Sequence, residues 1–217
     1  MKVAVLGTGM VGDAIGSKLI ELGHSVMMGS RTANNDKAKA FVAKHNLKAS
    51  AGTFADAAAY GEIIFNCTAG GASLEVLKSA GEENINGKIL IDIANPLYFS
   101  SGMPTTLSIV NTNSLAEEIQ RCFPEVKVVK TLNTLSCVLM VNPAKINGGD
   151  HTVFVCGNDI KAKEQVTEIL KSFGWHEKNI LDLGDIRKAR GTEMYLPLWL
   201  SIYGANNNGT FNIKIVS

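Results

Sequence analysis

Gly7, Gly9 and Gly12 stand in the order G-x-G-x-x-G, a spacing whose chemistry is the seating of a dinucleotide pyrophosphate on bare backbone. The first glycine of such a run permits a tight turn. The second lets backbone approach the phosphates, and the third lets a helix pack close to its strand. Free N–H groups at the start of that helix then face the anion. About 20 residues on, where an acidic side chain would hold the ribose hydroxyls of NAD, the chain instead reads Met28-Gly29-Ser30-Arg31-Thr32. A guanidinium between two hydroxyls suits a phosphate dianion, with Lys37 expected to reach in from the next helix. The cofactor expected from these residues is therefore NADP(H).

Side chains for acid-base, nucleophilic or metal chemistry are sparse. His24, His45, His151 and His176 are read as surface or capping residues. Cys67, Cys122, Cys137 and Cys156 lack both C-x-x-C pairing and a neighbouring histidine at metal-ligand spacing, and are read as reduced, mostly buried thiols. Neither a catalytic side chain nor a metal is expected.

The glycine turn gains meaning from the elements around it. Lys2 to Leu6 is an apolar, β-rich run. From Met10 to Leu22 the apolar residues Val11, Ala14, Ile15, Leu19 and Leu22 recur at helical spacing, and His24 to Met28 reads as a second strand. Helices are expected near Asp36 to His45, Thr53 to Tyr60 and Ser73 to Ala80. Strands are expected at Glu62 to Asn66, Ile89 to Ile93 and Val126 to Thr131, with a helix capped by Asn113 or Ser114 between the last two. After Asn142-Pro143 come a strand from Thr152 to Cys156, a helix from Lys161 to Phe173 and a strand from Ile180 to Leu183. This alternation predicts an α/β, Rossmann-type, doubly wound and mostly parallel sheet with a short helical and strand C-terminal extension.

No linker interrupts the pattern, so residues 1–217 are expected to form a single NADP-binding domain, with about 185–217 as a packing or dimerisation extension. Within that extension Met194 to Tyr203 is unusually apolar, too short to span a bilayer and expected to be buried, in the monomer or in a homodimer. Phe211 to Val216 alternates like a strand.

Composition narrows the partners. The chain is 46% hydrophobic and 19% charged, with 21 basic against 20 acidic residues. That near-neutral balance carries no footprint for nucleic acid or an anionic membrane. The N-terminus offers no apolar run of signal-peptide length, so a cytoplasmic protein acting on a small molecule is expected.

The glycine turn, the Gly29-Ser30-Arg31 turn with Lys37, and Lys130-Thr131-Leu132-Asn133-Thr134 together resemble the coenzyme F420-dependent NADP oxidoreductase family over most of the chain. That family includes archaeal F420:NADP oxidoreductases, and the reductase domain of six-transmembrane ferric reductases is similar. The resemblance implies that Thr8, Met10 and Val11 line the pyrophosphate loop, that Ser30, Arg31 and Lys37 hold the 2′-phosphate, and that Thr68 and Ala69 border the nicotinamide. Asn95 and Pro96 follow the Ile89 to Ile93 strand on the cofactor side. In an open parallel sheet the loops starting at Cys67, Ala94 and Leu132 converge beyond the strand ends, which makes Asn133 and Thr134 candidates for the second substrate. The segment Arg187 to Tyr203 departs from the archaeal pattern, so the implied acceptor is F420 or another flavin. Two rivals remain: an NADPH-dependent reductase of a small imine or carbonyl, and a non-catalytic NADP(H) redox sensor.

Overall fold

The computed structural model describes residues 1–98 and 106–216. The chain runs β1 (Lys2–Leu6), α1 (Met10–Glu21), β2 (Ser25–Ser30), α2 (Asp36–His45), β3 (Ala49–Thr53), α3 (Phe54–Tyr60), β4 (Ile63–Asn66), α4 (Ser73–Ala80), α5 (Glu82–Ile85) and β5 (Ile89–Asp92). It continues with β6 (Leu97–Tyr98), β7 (Thr106–Leu107), α6 (Leu115–Cys122), β8 (Lys127–Thr131), α7 (Cys137–Val141), β9 (Val153–Gly157), α8 (Ile160–Ser172), β10 (Ile180–Asp182), α9 (Ala189–Met194) and α10 (Leu196–Asn206).

Eight strands form one sheet in the order β10-β9-β8-β5-β4-β1-β2-β3, while β6 and β7 pair separately. Strands β1 to β5 and β8 are parallel; β9 runs antiparallel to β8, and β10 follows β9. The expected doubly wound, mostly parallel architecture is what forms. Successive side chains of a strand face opposite sides, and the two cores follow that alternation. Val3 and Val5 of β1 pack with Ile15 and Leu19 of α1, Phe41 of α2 and Val166 and Leu170 of α8. Ala4 and Leu6 pack on the other face with α3, α4 and α6 through Ala57, Leu77 and Ile119. Each fully buried Leu or Ile contributes about 1.5–3 kcal/mol.

Helix starts are set locally. Thr53 and Asp56 form a reciprocal capping box on α3, while Asn35, Ser114 and Asp159 cap α2, α6 and α8 through their side chains. Helix α1 instead begins at a glycine, Gly9, with no side-chain cap.

Several expectations are corrected. Ala49–Thr53, poor in β-branched residues, forms the edge strand β3. Phe211 to Val216 forms no strand; it is pinned irregularly, with Thr152 N–H donating to Ile213 O, and Asn212 Nδ2 donating to Thr152 O at 2.7 Å. His151 is no surface residue. It is buried, its Nε2 2.9 Å from Pro143 O and its Nδ1 2.7 Å from Asn212 Nδ2. Of the four cysteines expected to be mostly buried, only Cys156 is; Cys67 and Cys137 are half-buried and Cys122 is exposed. The apolar segment Met194 to Tyr203 is covered on one side only: Phe211 stacks on Trp199, whereas Leu198 stays 56% exposed and Met194 and Tyr203 are also exposed. Among the described residues, no helix is long and apolar enough to cross a membrane.

Candidate functional site

Loops leaving the carboxyl ends of β1, β2, β4, β5 and β8 converge on one crevice, as the fold requires of a ligand site. A cavity of about 890 Å³ is lined by Gly7, Thr8, Gly9, Arg31, Thr68 and Glu75, among others. A second cavity of about 490 Å³ meets it along Cys67, Thr68 and Ala69. Its remaining wall is mostly apolar, with Met10 and Val11 on one side, Leu135 and Met140 on another, and Leu196 and Trp199 above them.

The three glycines of the first turn are each needed for a different reason. Gly7 has φ +115°, and a Cβ there would lie 2.6 Å from Cys67 O. A Cβ on Gly12 would lie 2.0 Å from Gly7 O, so the helix could not approach its strand. A Cβ on Gly9 would meet nothing within 4 Å: the space above it is open, and it opens on the large cavity. With no side-chain cap, the first amides of α1 are left for an anion, which is the donor set a pyrophosphate fits. Gly29 occupies the place of the missing acid because α3 packs there; a Cβ would fall 2.9 Å from Ala57 Cβ.

The expected phosphate-binding residues separate into two groups. Ser30, Arg31 and Thr32 line the large cavity with Asn35. Ser30 is buried and its hydroxyl donates to Thr32 O at 2.6 Å, so its proton shapes the turn. Lys37 lies in a neighbouring cavity of about 340 Å³ with Asp13 and Lys44, which shares Thr8 and Gly9 with the large one.

Thr68, Ala69, Asn95 and Asn133 line the apolar cavity together. Asn95 Nδ2 donates to Asn133 O at 2.8 Å, and Asn133 Nδ2 donates to Asn95 Oδ1 at 2.9 Å and to Thr192 O at 3.0 Å. Pro96 is buried, its carbonyl accepting from Ser108, and Thr134 is buried next to Asn133 in sequence; neither is among the residues lining the two joined cavities. Leu132 takes φ +61°, a strained conformation for leucine at the point where β8 turns into the site.

Sequence reasoning gave no role to the ion cluster beneath the site. Lys130 Nζ lies 2.8 Å from Asp92 Oδ2 and 2.9 Å from Glu193 Oε1, all three side chains essentially without solvent contact. Burial alone would push the Lys130 ammonium down; Asp92 and Glu193 overcome it and hold its pKa above the ordinary lysine value. Two signals were present: an aspartate ending the apolar run Ile89-Leu90-Ile91, and a lysine between Val129 and Thr131 in a central strand. Cys67, half-buried where the two cavities meet, has its thiol pushed well above the ordinary range by loss of solvent and by the nearby Asp92 carboxylate. Among the described residues, no three His, Cys, Asp or Glu side chains are grouped to hold a metal.

A glycine turn at the first strand, an open phosphate cradle and an apolar cavity joined to it define an NADP-dependent oxidoreductase of the Rossmann class. The profile described as NADP oxidoreductase, coenzyme F420-dependent, matches residues 2–96. A crystal structure of a candidate F420-dependent NADP-reductase from Arthrobacter sp. FB24 is 50% identical, covers 100% of both chains and superposes with a TM-score of 0.94. This chain belongs to the F420-dependent NADP oxidoreductase family. Metalloreductase STEAP3 of Rattus norvegicus is 28% identical over 212 residues, 91% of this chain but 38% of that protein; the chain thus spans about two fifths of its length. A reductive aminase from Aspergillus terreus, solved with NADPH and ethyl levulinate, shares the fold at 18% identity and a TM-score of 0.66, covering 95% of this chain and 62% of that one.

Proposed function

We propose that this enzyme transfers a hydride between NADPH and a flavin or deazaflavin ring of the F420 kind, the reductant lying over Gly7 to Gly12 and the acceptor in the cavity of about 490 Å³. The observation that carries this reading is the character of that cavity. Its described walls hold no acidic, basic or imidazole group, and the pKa of its one thiol, Cys67, is raised by desolvation and by Asp92, which makes it a poor proton donor. A carbonyl or imine acceptor needs a proton placed on it during reduction, whereas a flavin-like ring takes its proton on ring nitrogen from solvent.

The residues then act by position. The α1 amides and Gly9 receive the pyrophosphate, and Arg31 with Thr32 receives the 2′-phosphate, with Lys37 reaching the same anion from beside Thr8. Thr68 and Ala69 form the seam where the two rings meet. Asn95 and Asn133 brace the loops on the far side, and Leu196 and Trp199 keep water from the acceptor face. NADPH, when bound, supplies the hydride. Helix α10, uncharged along its length and partly bare, is read as the seat of a homodimer: a self-complementary apolar face suits a two-fold contact between identical chains.

The test is to titrate the protein with NADPH and NADH, then follow NADPH oxidation with F420, FMN, FAD and riboflavin in turn. Tight NADPH binding with turnover of one of these is expected. Arg31→Ala is expected to weaken NADPH binding by about 1.5–3 kcal/mol while sparing NADH. Equal loss for both cofactors would overturn the 2′-phosphate assignment, and NADPH binding without turnover of any ring acceptor would favour a sensor.

A further inference from the structure

Three charges buried without water cost more than an apolar cluster of the same volume, so stability alone does not explain Lys130, Asp92 and Glu193. What they supply is direction. Nζ of Lys130 donates to Asp92, to Glu193 and to the carbonyl of Ala94, which uses its three hydrogens on two segments, the end of β5 with the loop that follows it and α9. Asp92 Oδ1 accepts from Asn66 Nδ2 at 2.8 Å, and Asn66 Oδ1 accepts from Thr68 Oγ1 at 2.6 Å, at the seam of the two cavities. Glu193 continues the chain of contacts the other way: Oε2 accepts from Leu115 N–H at 2.8 Å and Oε1 from Ala116 N–H at 3.2 Å, at the positive end of α6.

We infer that Lys130 and Glu193 are positioning residues for the acceptor, tying the 94–97 loop and helices α9 and α10 to the sheet so that Leu196 and Trp199 stand over the acceptor cavity. The inference rests on the proposed reading of that cavity. Ala94 and Asn95 line one wall, Leu196 and Trp199 another, and Glu193 lies three residues before Leu196 on the adjoining helix. Without the Lys130–Glu193 contact, α9 is still held to α6 by the Leu115 and Ala116 amides, by the Arg190–Glu117 ion pair and by buried Ala189, and to the loop after β8 by the Asn133 bond to Thr192 O, but it loses its link to the ion cluster at β5 and β8. Gly7 and Arg31 follow β1 and β2, which lie beyond β4 from the β5 and β8 strands that carry Asp92 and Lys130.

Lys130→Met would strand two carboxylates in a dry core and is expected to compromise folding. Glu193→Gln is the informative variant, since it keeps a carbonyl acceptor for the α6 amides and leaves Lys130 paired with Asp92. Hydrogen exchange along residues 189–199, the NADPH dissociation constant, and steady-state kinetics with F420, FMN and riboflavin would be compared with the parent enzyme. Faster exchange in 189–199, an acceptor KM raised or kcat/KM lowered by about 10- to 100-fold, and unchanged NADPH affinity are expected. Unchanged exchange and kinetics would overturn the inference, and so would NADPH affinity falling in step with activity, which is the mark of a general structural role. Trp199→Ala keeps the two readings apart. If it leaves the acceptor KM unaltered the cavity assignment fails, whereas the exchange data on Glu193→Gln still judge the tether.

Discussion

Gly9 and Gly12 sit three residues apart in one turn and face opposite demands. Above Gly9 there is room for a side chain until a pyrophosphate arrives; beside Gly12 there is none at any time. Gly9→Val is therefore expected to change the unfolding free energy by only about 1 kcal/mol and to abolish binding of NADPH and NADH alike. Gly12→Ala is expected to destabilise the fold by about 3 kcal/mol before binding is considered. Calorimetry of the two proteins, with and without NADPH, separates these outcomes; retained NADPH binding by Gly9→Val would show the turn to be merely structural. Glycine roles of this kind were legible from spacing, because the turn, its phosphates and its helix are contiguous in sequence. Lys130 was not, since a lone lysine in an apolar strand announces only that it must be paired. Its partners lie 38 residues before it and 63 residues after it, and no local pattern names them. Asn133 and Thr134 were expected at the site together; Asn133 lines the smaller cavity, while Thr134 is buried and is not part of that wall.

Among the elements, the contact between α6 and α9 carries its own pH dependence. Glu117 accepts from Arg190 Nε at 2.8 Å, and this bond with the guanidinium, helped by Ser114, holds its carboxyl below the ordinary value of 4.5 against the opposing effect of burial. A carboxyl depressed on folding contributes stability that is complete above its unfolded value and is lost as pH falls through the folded one. The parent is thus expected to be more stable than Glu117→Gln above about pH 5, and the two melting temperatures should converge between about pH 5 and 3. A constant difference across that range would show that the ion pair does not report on this contact. The βα rhythm that located most elements came from hydrophobic periodicity, which is a property of each segment alone. Strand β3 escaped because Ala49, Ser50 and Gly52 have little β preference and form an edge only where β2 offers bonds. The reversal of β9 was equally hidden: periodicity does not say which way a strand runs. That reversal brings His151 and Thr152 to the end of the sheet where the tail around Asn212 is fastened.

At the scale of the whole molecule, α10 belongs to two surfaces. One side, through Leu196 and Trp199, walls the cavity of about 490 Å³; another leaves Leu198 and Tyr203 bare. Leu198→Glu is expected to convert a dimer to a monomer in sedimentation equilibrium, and a parent protein already monomeric at working concentration would refute the two-fold reading. The apolar stretch from Met194 to Tyr203 was visible as something that must be covered, but sequence could not say by what.

The cavities meet along only three residues, Cys67 to Ala69, and draw the rest of their walls from different parts of the chain. The walls of the larger cavity, proposed for the reductant, come from the stretch between Gly7 and Ser79, whereas much of the wall of the smaller one, proposed for the acceptor, comes from 93–97, 133–140 and 196–199. For laboratory evolution this is a division of labour between genotype and substrate. A library confined to those last three stretches can search acceptor shapes while the electron donor stays the same, and the match to the family profile over residues 2–96 ends just where that freedom opens out.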